Sequence, residues 1–97
     1  MPSVLECFKP NQKIVGKTVA DVSDVSTHNN VPDLDQCKRK YCQPNLLCNA
    51  FEYSPQAKVC DLKEFAMSSL MMGTVSMEEA MGKTLGLDKI EGVCVGK

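Results

Sequence analysis

The stretch that decides the fold runs Cys37-Lys-Arg-Lys-Tyr-Cys-Gln-Pro-Asn-Leu-Leu-Cys-Asn-Ala-Phe-Glu-Tyr53 and continues Ser-Pro-Gln-Ala-Lys-Val-Cys-Asp-Leu62. Its first part reads as the end of a helix. Asp33 is placed to cap that helix, and Gln36 three residues on completes a capping-box pattern. Leu34, Cys37 and Tyr41 then share one helical face. Lys38, Arg39 and Lys40 fall near the C-terminal end, where cations complement the helix dipole. Pro44 stops the helix, because the residue before a proline disfavours the helical region. Residues 47–53 follow as a strand, with Asn49, Phe51 and Tyr53 on one face and Cys48, Ala50 and Glu52 on the other. Ser54-Pro55-Gln56-Ala57 is a turn with proline pre-set for its second position. Lys58 to Leu62 returns as the partner strand, giving a hairpin over 47–62.

Outward from this centre the pattern predicts more strands. Residues 4–9 read as a short strand. Val and Ile at 14, 15, 19, 22 and 25 favour one or two more over 14–26. Thr27 to Pro32 is a polar turn, which leaves His28 as a solvated loop residue. Towards the C-terminus, Ser76-x-x-Glu79 is a second capping-box pattern with Met77 and Met81 on one face, predicting a helical turn bounded by Gly82 and Gly86. Residues 90–95 suit a closing strand. Met67, Met71, Met72, Met77 and Met81 are expected to fill the core in place of missing aromatics; any that the core cannot take would mark a partner surface.

The chain of 97 residues has a formal charge of −1 and 43% hydrophobic residues, the composition of one globular domain, 1–97. That balance argues against a nucleic-acid module. No apolar run approaches a membrane span, and residues 1–10 hold no secretory leader, so a mature or excised form is expected, with Met1 an added start. Three Phe, two Tyr and no Trp supply little aromatic core, a shortage that small secreted domains meet with disulfides. Six cysteines, Cys7, Cys37, Cys42, Cys48, Cys60 and Cys94, make three bridges, with fifteen connectivities open. Zinc is disfavoured because there is no C-x-x-C pair and a single histidine. Neither a cofactor nor a metal is expected. Oxidised cysteines place the protein outside the cell or at its surface.

Cys37 to Cys42, Pro44, Cys48 to Tyr53 and Cys60 to Leu62, with Cys7 and Cys94 near the ends, resemble the PAN/apple domain family. The resemblance spans a core of 7–94. It implies an α+β, disulfide-rich fold with one main helix packed on a curved antiparallel β-sheet. It also implies the pairing 37–60, 42–48 and 7–94. Family members of this kind bind proteins or glycans and do not catalyse.

The residues agree with a non-enzyme. A lone histidine supplies no nucleophile–base pair, and capping roles account for most of the clustered carboxylates. The expected function is therefore an extracellular binding module for adhesion or for recognition of a protein or glycan. Two alternatives are a secreted antagonist of a protease or receptor, presenting the 26–33 turn, and a lectin-like domain using Tyr41 or Tyr53 as its platform. The candidate binding residues are Lys38, Arg39, Lys40, Lys58 and Lys63. The helix wheel turns Arg39 and Lys40 outward with Lys38 on the flank, and a 37–60 bridge would bring the two hairpin lysines near them.

Overall fold

A computed structural model describes residues 8–18 and 20–88. Five strands form one antiparallel sheet: β1 (Phe8–Gly16), β2 (Val22–His28), β3 (Ala50–Ser54), β4 (Val59–Phe65) and β5 (Val75–Leu87), in the order β1-β5-β3-β4-β2. A helix, α1 (Leu34–Gln36), continues as a π-helical segment, Cys37–Cys42; α2 (Met67–Met72) joins β4 to β5. This is the small disulfide-rich α+β architecture with its main helix against an antiparallel sheet. The segment 4–7, the closing strand expected at 90–95, and Cys7 and Cys94 lie outside the described residues.

The central hairpin forms because its two faces both find apolar cover. Phe51, Tyr53, Cys60 and Leu62 are buried on the helix side with Val31, Cys37, Cys42 and Cys48. Ala50 and Phe65 are buried on the other side with Ile14, Val75, Leu85 and Leu87. The alternation read from sequence holds from Ala50 onward, but the strand starts there rather than at 47. Cys48 is held in the helix-side cluster by its bond to Cys42. Asn49 clamps β4 instead, accepting from Phe65 N–H at 3.0 Å and donating to Phe65 C=O at 2.9 Å. Ser54 pairs with Val59 across the turn, and Lys58 takes φ 57° to close it.

Asp33 caps the helix as expected, its side chain accepting from Gln36 N–H at 2.9 Å. The wheel drawn for a regular helix fails after that point. Positions five apart in an α-helix sit about 140° from one another round the axis, so Cys37 and Cys42 would not both face the sheet. The π segment, with Gln43 N–H donating to Lys38 C=O at 2.7 Å, brings both inward. Both are fully buried, and Cys37 bonds to Cys60 while Cys42 bonds to Cys48, with Cα–Cα separations of 5.5 and 5.2 Å.

The helical turn expected at 76–81 is a strand. β5 runs through both capping residues, because its backbone pairs with β1 over 75–79 and with both β1 and β3 over 84–86, and that ladder overrides a local cap. Its partners jump from Thr84 opposite Pro10 to Glu79 opposite Gln12, so β5 spends five residues where β1 spends two. Gly82 at φ 83° and Asn11 at φ 59° make this bulge, with Gly82 N–H donating to the Asn11 side chain. The bulge lets the β1–β5 ribbon curl over the sheet face away from the helix, where Ile14 N–H reaches the Glu52 carboxylate at 3.0 Å.

The loop after β1 and the turn after α2 meet at Asp21. Its carboxylate accepts from Thr74 Oγ1 at 2.9 Å, from Thr18 N–H at 3.0 Å and from Ser69, and these bonds lower its pKa. A carboxylate depressed by folding contributes stability above its ordinary range that is lost as pH falls through the folded value. Acidification towards the low side of the carboxylate range is therefore expected to lower the protection factors of the Ser69 and Thr74 amides before those of β3. In Asp21→Asn this pH dependence should vanish, which residue-resolved hydrogen exchange measures.

Candidate functional site

The four lysines and one arginine singled out from sequence do not form one patch. Arg39 and Lys40 are exposed on the outer side of the π segment, and Arg39 pairs with Asp35 at 2.8 Å. Both partners of that pair are largely in solvent, where such a bond holds weakly and leaves the arginine available. Lys58 is exposed at the hairpin turn, and its carbonyl accepts from Val31 N–H at 2.9 Å, which sets it beside the chain entering the helix. Lys38 is buried at 6% exposure with its ammonium 5.5 Å from the Phe8 ring centre. The π segment has turned it inward from the flank position.

Lys63 stands on the opposite face of the sheet. Leu62 faces the helix, so the next residue along the strand faces away. The 37–60 bridge therefore draws the hairpin to the helix while its own pleat sends Lys63 elsewhere. Burial works against the charge on Lys63, but the hydrogen bond and charge of Asp24, together with Glu52 and Asp61, prevail and raise its pKa. Lys63 lines an open cleft of about 370 Å³ with Lys13, Lys83, Asp24 and Glu52. Glu52 is 4% exposed, and Lys83 Nζ lies 3.4 Å from its Oε1. No local pattern announces this group, because curling of the ribbon assembles it from all five strands.

On the helix side an aromatic pair emerges that the sequence reading missed. His28 is the last residue of β2, half-buried, and its ring stacks on Tyr41 with centroids 4.2 Å apart. The Lys40 ammonium sits 5.6 Å from the centre of the Tyr41 ring, within the range of a cation–π contact. Ser26 Oγ lies 3.0 Å from His28 Nε2, whereas Thr27, between them on the strand, faces the other way and donates its Oγ1 to Asp61 at 2.7 Å. The only advance sign was Tyr41 on the helix face; His28 was assigned to a turn because β2 was expected to end sooner.

Two other expectations are corrected. Tyr53 supplies no platform: it is 3% exposed and its hydroxyl donates to Val31 C=O at 2.6 Å. Burial and the nearby Asp33 charge raise its pKa. The 26–33 segment is not an extended inhibitory loop either. β2 occupies it as far as His28, and Val31 is fully buried between Tyr53 and the Lys58 carbonyl.

Among known proteins, a family model described as PAN domain matches residues 7–90. No curated protein sequence matches the chain.

Proposed function

Since the chain belongs to the PAN domain family, whose members are generally protein- or carbohydrate-binding modules of extracellular proteins, we propose that it is a non-catalytic recognition domain, secreted or held at the cell surface. It acts in adhesion or recognition through the helix-side face, with Arg39, Lys40 and Lys58 beside the stacked His28–Tyr41 pair. The carrying observation is the Lys40 ammonium over Tyr41 with Tyr41 stacked on His28. A cation, a flat apolar surface and the hydroxyl of Ser26 then lie together. Those are the groups that engage an anionic glycan: charge for sulfate or carboxylate, a ring for the sugar's apolar face, a hydroxyl for its polar edge. Lys38 supports this face from beneath through Phe8, whereas Lys63 belongs to the far cleft.

Heparin-column retention tests the reading. Wild type is expected to bind at low salt and elute as salt rises, because exposed charges are screened within about 8 Å at physiological ionic strength. Arg39→Glu/Lys40→Glu is expected to elute markedly earlier, and Tyr41→Ala to weaken retention less. Equal elution of wild type and the charge variant would remove the anionic-glycan reading and leave a neutral glycan or a protein as ligand.

A further inference from the structure

His28 is the one histidine of the chain. Histidine is also the side-chain type whose charge ordinarily changes between about pH 5 and 8. The fold builds this ring into the helix-side face. It ends β2, lies half-buried, and stacks on Tyr41 with the two planes 27° from parallel. Ser26, two residues earlier on the same face of the strand, places its Oγ 3.0 Å from Nε2. The elements packed around the ring carry these charges. The helix brings Lys40, the Arg39–Asp35 pair and, at its start, Asp33, while Lys38 is turned inward onto Phe8. On β4 the residue opposite His28 is Cys60, bridged to Cys37. Its neighbour Asp61 bonds Thr27 on the other face, and Lys58 is exposed at the hairpin turn. Among the described residues no carboxylate pairs with the imidazole, so a counter-ion for its charged form has to come from outside the chain.

Protonation changes the face in two ways. It adds a positive charge on the Tyr41 ring that Lys40 already approaches. In the imidazolium both ring nitrogens donate, so Ser26 Oγ accepts from Nε2 and keeps its own proton for a ligand oxygen. The stack survives the charge, because a cation is attracted to an aromatic face. Building on the anionic-glycan reading of this face, we propose that His28 makes binding proton-linked: the sulfate or carboxylate of the glycan is taken up together with a proton on His28. The site then holds its ligand more tightly in mildly acidic surroundings than in neutral ones. By reciprocity the bound anion holds the proton, so His28 titrates at higher pH in the complex than in the free protein.

The probe is a heparin-derived oligosaccharide, its dissociation constant measured by calorimetry at about pH 8 and about pH 6 at one ionic strength. Wild type is expected to bind roughly two- to fivefold more tightly at the lower pH, the worth of one exposed ion pair. His28→Phe keeps a ring against Tyr41 but takes no proton, so the ratio of its two constants is expected to be about one. It also controls for the α-amino group, which titrates in the same range. In wild type the His28 ring signals, followed by NMR, are expected to titrate at higher pH with the oligosaccharide than without it, a readout that needs no variant. A wild-type constant indifferent to pH, while Arg39→Glu/Lys40→Glu still weakens binding at both, overturns the proton link and leaves the site standing. A gain on acidification that persists in His28→Phe, or a His28 titration unmoved by the oligosaccharide, overturns the link as well. No binding by wild type at either pH, or binding that the charge variant does not weaken, overturns the reading of the face and the link with it.

Discussion

Replacing Cys37 and Cys60 together by alanine is expected to lower the unfolding free energy by about 3.5 kcal/mol, the chain-entropy value for a bridge of this span. The two cysteines are 23 positions apart and fully buried. Their bond is the covalent tie between the helix and the returning strand of the hairpin. For a domain of this size the loss corresponds to a fall in Tm of roughly 15–25 °C. Removal of Cys42–Cys48, with a separation of 6, should cost less, about 2.4 kcal/mol, since its loop is shorter. It should also loosen the exposed Leu46–Leu47 tip of the loop that the bridge closes. Urea unfolding of the two double variants side by side measures both. A Cys37/Cys60 variant that melts with wild type would show that packing alone docks the helix.

The second large effect is expected at Gly86. This residue sits in β5 opposite Phe51 of β3. A Cβ built on it would lie 2.1 Å from Cζ of the Phe51 ring and 2.4 Å from Cε2. Phe51 is fully buried in the helix-side core, with the Phe8 ring edge-on at 6.2 Å, so the ring has no room to retreat. Overpacking of a close-packed core commonly costs about 1–3 kcal/mol. Gly86→Ala is expected at or above the top of that range, because the clash falls on three ring atoms. The companion change Phe51→Leu removes the ring and is expected to recover part of the loss, so the double-variant cycle should show a favourable coupling energy. Additive effects would mean that the strand shifts away and the two residues do not share the space.

Both expectations rest on contacts that the sequence exposes unequally. The helix cap at Asp33, the strand with Phe51 and Tyr53, the turn at Pro55 and the returning strand with Cys60 were all legible, because each depends on neighbours a few residues away. So was the oxidised state of the central cysteines, since their number and the poverty of aromatic residues point to it. Ser76 and Glu79 misled for the same reason: their spacing satisfies a cap, but the cap has no helix to start once this part of β5 is paired with β1. The methionines misled because hydrophobicity does not say whether the core has space. Met77 packs partly against it, while Met71, Met72 and Met81 remain in solvent.

The candidate site divides along the same line. Arg39 and Lys40 face outward in both readings, because two residues adjacent on the outer arc stay outside whether the turn is α or π. Lys38 lies nearer the boundary, and the extra residue in the π turn rotates it onto Phe8. Local chemistry by itself thus determined the helix cap and the central hairpin, since each follows from spacing, turn preference or residue type. Only the tertiary structure decided the π turn, the far-side cleft around Glu52, the stacking of His28 on Tyr41 and the exposed leucine tip. Those features depend on how two buried cysteines and a bulged, curling ribbon fit around the hairpin, and such long-range constraints leave no periodic trace in the chain.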